Sequence, residues 1–461
     1  MNNTKKNKQT SQDIATIRSI RNLLQQRWLV VVLALMLTGL GAAITGVLFK
    51  AGVHSLEEWK LEILKTIPPW LVLPIMGVLG GLFSGTLITK LAPAARGSGV
   101  SHIMAYLRHR EVPMGLKVGL VKLVAGIIAI GSGFPLGPEG PSIQMGGSIA
   151  WRMARWLKAP IAFRRVIVAA GGGAGIAAIF SAPIGGFIYA IEELLNSARP
   201  AILTLIVITT FWADTWADVL QSIGLDPSAG GFDQDIGFRI EREYSPQVQF
   251  LPIDFGYLIV LGIIIGVIAE LYCRFILKLQ EKNNDWFGTN LTKKLTISGL
   301  LIGILYSLLP DIFHNINELQ SSIANGTATI NIAIATFIIL FVSSGIAAGS
   351  GAPGGLFYPM LTLGGSIGLA FGINAELMTG YVPDSYIFAG MGAFVAACSR
   401  TPVTAMFLAF ALTKNLLLLK PILIACISSY LIARMLNKSS IYHRQIEMEF
   451  SSNSSDKSKE V

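Results

Sequence analysis

The chain has 461 residues, of which 52% are apolar and only 14% are Asp, Glu, Lys or Arg, against roughly 25% charged in an ordinary soluble domain. That balance excludes a water-soluble globular enzyme, and 48 glycines lying inside apolar stretches point to an all-α polytopic membrane protein with broken and tilted helices. The formal charge of +9 does not mark nucleic-acid binding, because Lys and Arg cluster at the ends of apolar runs, as in cytoplasmic loops under the positive-inside rule.

Residues 1–27 carry six positive charges and one negative, which predicts a cytoplasmic N-terminal tail. Trp28 to Phe49 then runs 22 residues without a charge, with no small-residue cleavage pattern after it. It is a retained span, not a signal peptide. Residues 50–65 balance at three and three, and Thr66 to Thr89 is a second uncharged span. Residues 90–122 carry six positive and one negative charge, 151–165 five and none, and 273–294 five and two, all cytoplasmic in character. Residues 223–250, with two positive against five negative, read as an extracytoplasmic linker.

The first Gly-rich segment is GSGVS, Gly97 to Ser101, followed by GSGFPLGPEGP from Gly131. Gly131 to Ala150 matches Gly349 to Gly368 without a gap at ten of twenty positions, an offset of 218. Gly173 to Ala190 matches Gly392 to Ala409 at an offset of 219. The chain is therefore a duplication: 28–222 form a first transmembrane repeat and 251–442 a second. With 1–27 inside and 223–250 outside, the second copy is inverted, as in many secondary transporters. Residues 443–461 form a cytoplasmic C-terminal tail.

From Leu319 to Ala375, 57 residues carry no Asp, Glu, Lys or Arg but ten glycines, too long and too interrupted for one helix. Non-helical backbone at membrane depth is tolerated only where protein or a wet cavity surrounds it. Pro141 and Pro359 can each serve as a first helical residue, so GSGFPLGPEGP and GSGAPGGLFYP are candidate helix starts whose free N–H groups favour an anion. The Ser98 hydroxyl adds a donor, and the pocket has no neutralising Lys or Arg. Close helix packing through small residues is the competing reading of these glycines.

Glu139 is the one charge between Leu123 and Trp151, and an intramembrane carboxylate is a functional hypothesis by default; the alternative is a surface helix cap. As an anion itself, its carboxylate would compete for the amide-lined pocket, linking proton uptake to anion access. Glu192 and Glu193 follow an uncharged run, and adjacent helical residues diverge by about 100°, so at most one faces inward. Tyr442 reads on its own as an interface-belt aromatic. Cys273, Cys398 and Cys426 lie far apart, with neither a disulfide framework nor a zinc site. Gly171 to Gly175 lacks the context of a nucleotide loop. No nucleophile–base pair, metal cluster or cofactor signature appears, so an enzyme is not expected.

In order and spacing, GSGVS at Gly97, GPEGP at Gly137 and GGLFYP from Gly354 resemble the three selectivity-filter segments of the CLC chloride channel and transporter family, written GSGIP, G(K/R)EGP and GxFxP. The resemblance spans about Trp28 to Tyr442. It implies an inverted-repeat fold, a homodimer with one anion pathway per subunit, chloride and protons as the transported ions, and a lipid bilayer around it. It makes the hydroxyls of Ser98 and Tyr442 and the amides of Leu356, Phe357 and Tyr358 chloride ligands. The filter backbone would comprise Gly97, Gly99, Val100, Ser101, Gly137, Pro138, Gly140, Pro141, Gly355 and Pro359. Glu139 matches the gating glutamate and Glu193 the internal proton-transfer acid, which family channels generally lack. A chloride/proton antiporter is thus expected, with a passive chloride channel of the same fold as the alternative. Pro138 replaces the family's basic residue and Ser101 its Pro. With 19 residues after Tyr442, no CBS pair is expected, as in prokaryotic members, which places the protein in a bacterial inner membrane with both termini cytoplasmic.

Overall fold

Long apolar runs cannot leave backbone N–H and C=O groups unpaired in hydrocarbon, so they coil. A computed structural model of the chain, describing residues 2–195, 199–224, 252–379 and 385–457, is helical almost throughout. Among the described residues there is no strand, and seven helical stretches are long and apolar enough to cross a membrane. The first half holds α1 (Asn2–Leu64), α2 (Pro69–Leu91), α3 (Val100–Leu107), α4 (Leu116–Gly131), α5 (Glu139–Trp156), α6 (Ile161–Phe180), α7 (Pro183–Tyr189) and α8 (Pro200–Ser222). The second half repeats the order: α9 (Pro252–Phe287), α10 (Leu291–Ser307), α11 (Ile316–Ala324), α12 (Ile330–Gly349), α13 (Phe357–Thr379), α14 (Ser385–Ser399), α15 (Pro402–Thr413) and α16 (Leu419–Leu436). Only α17 (Ile441–Lys457) has no counterpart among the described residues.

Several boundaries differ from the sequence-based expectation. The charges after Phe49 do not end α1, because Lys and Glu are good helix formers; it stops at Leu64, shortly before Pro68 and Pro69. α2 starts at Pro69, whose missing N–H costs nothing there. The uncharged stretch from Leu319 to Ala375 resolves into the end of α11, then α12, an irregular link over 350–356 and most of α13. The expected tail boundaries after residues 27 and 442 both fall inside helices, α1 and α17. Most of the expected linker, 225–250, lies outside the described residues.

The duplication is written into the packing. Gly146 of α5 and Gly171 of α6 approach so closely that a Cβ on either would collide with the other's carbonyl oxygen, and Gly364 of α13 and Gly390 of α14 do the same in the second half. Small residues let helix backbones meet where lipid offers no hydrophobic drive. Gly77 of α2 meets Gly299 of α10 in the same mutual fashion, which locks the halves together. The glycine run Gly171 to Gly175 is thus packing surface of α6. α6 is buried from Val166 to Ile179 and α14 over all of Ser385–Ser399, as expected of helices apolar on every face. These two form the centre of the molecule.

Candidate functional site

Three breaks in the helices meet beside that centre. Gly137 and Gly355, equivalent residues of the two halves, exchange two antiparallel hydrogen bonds: Gly137 N–H donates to Gly355 O at 2.9 Å and Gly355 N–H to Gly137 O at 2.7 Å. Reciprocal antiparallel pairing of equivalent residues is what a local two-fold axis between the halves produces. The third segment joins through Gly97, whose N–H donates to Gly351 O at 2.9 Å. Gly97 and Gly99 sit at φ +69° and +85°, a left-handed backbone that glycine adopts at no steric cost. A Cβ on Gly140 would collide with the Ser98 carbonyl, so GSGVS rests directly on the start of α5.

Glu139 opens α5 and is fully buried. Its Oε1 accepts the Phe357 N–H at 2.5 Å, the free amide at the start of α13. Gly137 and Gly355 flank the carboxylate so tightly that a Cβ on either would strike its oxygens. The carboxylate of one half thus caps the helix of the other. Among the described residues its Oε2 is buried without a hydrogen-bond partner, and so are the hydroxyls of Ser98, Tyr442 and Tyr189. Tyr189 and Tyr442 each meet the Phe357 ring edge-on, with centroids at 5.7 and 6.3 Å. An unsatisfied buried polar group costs about 1–3 kcal/mol, and several are gathered here at two helix N-termini.

The adjacent acids separate cleanly. Glu192 accepts from Val403 N–H at 3.3 Å, Thr404 N–H at 2.8 Å and the Thr404 hydroxyl at 2.7 Å, so it caps the N-terminus of α15. Glu193 is the buried one, in the π-helical turn Ala190–Leu195. Ser440 donates to its Oε1 at 3.2 Å and, through its carbonyl, accepts the Arg444 N–H at 3.1 Å to begin α17. The helix that carries Tyr442 is thereby tied to Glu193. Tyr189 and Tyr442 both lie within electrostatic reach of Glu139 and Glu193.

Three expectations are corrected. Tyr442 is fully buried, not an interface-belt aromatic: its place in the first turn of α17 points it at Phe357. Pro141 and Pro359 are third, not first, helical residues, because α5 starts at Glu139 and α13 at Phe357; the first four helical N–H groups lack partners anyway, so a proline fits there equally well. The pocket also has a cation close by. Lys122, counted with a cytoplasmic loop, is fully buried on α4, and its ammonium donates to the carbonyls of Ala95 at 2.9 Å, Arg96 at 3.3 Å and Gly97. It gathers the backbone just before Ser98. Among the filter positions, Val100 and Ser101 open α3, and Leu356 immediately precedes α13. Tyr189, Lys122 and Ser440 escaped the sequence reading, since only folding brings them to the motifs.

Residues 80–434 match the family described as Voltage gated chloride channel. The chain is 30% identical over 446 residues to the H(+)/Cl(-) exchange transporter ClcA of Klebsiella pneumoniae, covering 92% of this chain and 90% of the relative. Against ClcA of Vibrio parahaemolyticus it is 29% identical over 426 residues, covering 88% and 87%. Among solved structures, a slow cyanobacterial Cl-/H+ antiporter superposes with a TM-score of 0.80 at 28% identity, over 92% of this chain and 98% of the other. With the match running over most of its length, this chain belongs to the voltage gated chloride channel family.

Proposed function

We propose that this protein exchanges chloride for protons across a membrane. Ser98 and Tyr442 offer hydroxyls to the anion, and the amides of Leu356, Phe357 and Tyr358 offer backbone N–H groups at a helix N-terminus. The observation that carries the reading is the Glu139 carboxylate seated on the Phe357 amide, a donor that chloride would otherwise use. Charged, Glu139 plugs the path; protonated, it no longer competes with an anion for that amide and can swing away. Each passage of chloride is then linked to a proton taken up or released. Glu193, buried beside the helix that carries Tyr442, supplies protons from the other face. The relatives' names and the cyanobacterial antiporter agree with this exchange. We place the protein in a bacterial inner membrane as a homodimer, with one pathway per subunit and both termini cytoplasmic.

The test is a paired flux measurement on the unaltered protein in liposomes, using a chloride electrode and a pH electrode. An imposed chloride gradient is expected to drive protons uphill. Chloride movement without protons would replace the exchanger with a passive channel, and the absence of both would remove the transport reading.

A further inference from the structure

The reading of Glu139 as a gate requires a route from solvent to it, and one cavity ends beside it. A space of about 60 Å³ runs between α1, the start of α11 and the link before α5, and reaches Pro138 and Tyr358, the neighbours of Glu139 and Phe357. At roughly 10–15 Å³ per water it holds several. Besides Tyr306 and Tyr358, four ionisable side chains line it: His54, Glu57, Lys60 and His314. Three of them have partners. His54 Nε2 lies 3.1 Å from Glu58, and His314 contacts the Tyr306 carbonyl at 3.1 Å and Asp311 at 3.4 Å. Glu57 accepts from Asn317 Nδ2 at 2.8 Å, and Asn317 in turn accepts the Tyr358 hydroxyl at 2.7 Å.

Lys60 differs. It is 6% exposed, yet among the described residues it makes no ion pair and no hydrogen bond. Glu57 stands one turn earlier on α1, at a spacing that often pairs such side chains, but its carboxylate is turned to Asn317. The lysine is left without an ion pair in a cavity that reaches Pro138 and Tyr358, where the other unneutralised charge is the Glu57 carboxylate held by the neutral Asn317 amide. A buried charge without a counter-ion is costly unless water or a mobile ion attends it, and low-dielectric walls focus its field along the cavity.

We propose that Lys60 forms an outer subsite for a small monovalent anion, which it concentrates in the cavity before the ion reaches Glu139. Pro138, at the inner end of the same cavity, carries no charge, so the attraction comes from α1. The subsite rests on the proposed transport route but not on proton coupling.

Lys60→Gln and Lys60→Arg, reconstituted beside the unaltered protein, test it. Lys60→Gln is expected to raise the half-saturating chloride concentration on the cavity's side by roughly tenfold, the low end of what charge focusing in a cleft supplies. Lys60→Arg should stay near the unaltered value, and the proton-to-chloride ratio should not change in either. Raising ionic strength with an impermeant organic anion should weaken chloride saturation in the unaltered protein and leave Lys60→Gln indifferent. Equal half-saturation in all three proteins, or a loss that Arg does not restore, overturns the subsite. If Lys60→Gln does not reconstitute, the ionic-strength series on the unaltered protein and on Lys60→Arg decides alone, a flat response sinking the idea. Failure of proton coupling leaves this measurement intact. Were no chloride flux found, calorimetric chloride binding to the detergent-solubilised proteins would decide, with weaker binding in Lys60→Gln expected and equal binding against the subsite.

Discussion

At the residue scale, two carboxylates and a tyrosine carry the proposed exchange, and each can be addressed alone. Glu139→Gln keeps size and a carbonyl acceptor but has no titratable proton to give up or take, so chloride should still cross while the pH electrode records no coupled proton flux. Glu193→Gln should reduce protons moved per chloride with the anion route open. Its neighbour serves as a control. Glu192→Ala removes the acceptors that cap α15, so its expected cost is stability, about 0.5–2 kcal/mol, read as a lowered melting temperature with the exchange ratio unaltered. Tyr442→Ala removes a hydroxyl next to the proposed anion position; a hydrogen bond to a charged group contributes about 1.5–3 kcal/mol, so chloride affinity by calorimetry should fall about tenfold or more. Glu139 was legible in the sequence because one charge stands in a long apolar run. Tyr442 was legible only through the family resemblance, because on its own an aromatic near a helix end reads as a belt residue until its burial is known.

At the scale of elements, the site is made of helix starts, and glycine and proline punctuation announced where helices break. The starts themselves fell two residues earlier than the prolines suggested, since any of the first turn's N–H groups can be dispensed with. Close backbone approach is equally a property of helix pairs. Gly146→Val would push a branched side chain into the Gly171 carbonyl, and overpacking of that kind costs about 1–3 kcal/mol, so thermal unfolding in detergent should shift downward. A further element-level joint joins three helical regions. Glu270 of α9, almost wholly buried, accepts from Arg444 of α17 at 3.0 Å, from Arg400 before α15 at 2.8 Å and from Arg274 at 3.0 Å. Arg274 stands one helical turn after Glu270, a spacing that pairs such side chains, but nothing in the spacing connects Arg400 or Arg444 to it along the chain. Their assembly holds the base of α17, two residues beyond Tyr442.

At the scale of the whole molecule, the matching order of eight helices in each half extends two short sequence matches to the entire membrane portion. The local two-fold at Gly137 and Gly355, and the crossing of Gly77 with Gly299, join the copies at their interface. The proposed topology rests on charge alone and is open to a direct check. A cysteine placed at Ser228 should react with an impermeant thiol reagent from outside the cell, whereas one placed near the C-terminus should react only after permeabilisation; the reverse pattern would invert the proposed orientation. The native cysteines, all buried, should stay silent.

By itself the sequence determined that the protein is helical and membrane-embedded, that it is duplicated, where its helices break and which acid stands alone among apolar residues. These are consequences of composition, periodicity and local backbone chemistry, and they act over a few residues at a time. Only the tertiary structure decided that Glu139 of one half caps α13 of the other, that Glu192 instead caps α15, that Lys122 leaves its loop to brace the backbone before Ser98, and that Lys60, among the described residues, stands without an ion pair in the cavity beside Pro138 and Tyr358. Those outcomes depend on which helix faces meet across hundreds of residues, and burial and pairing of charge are properties of that assembly.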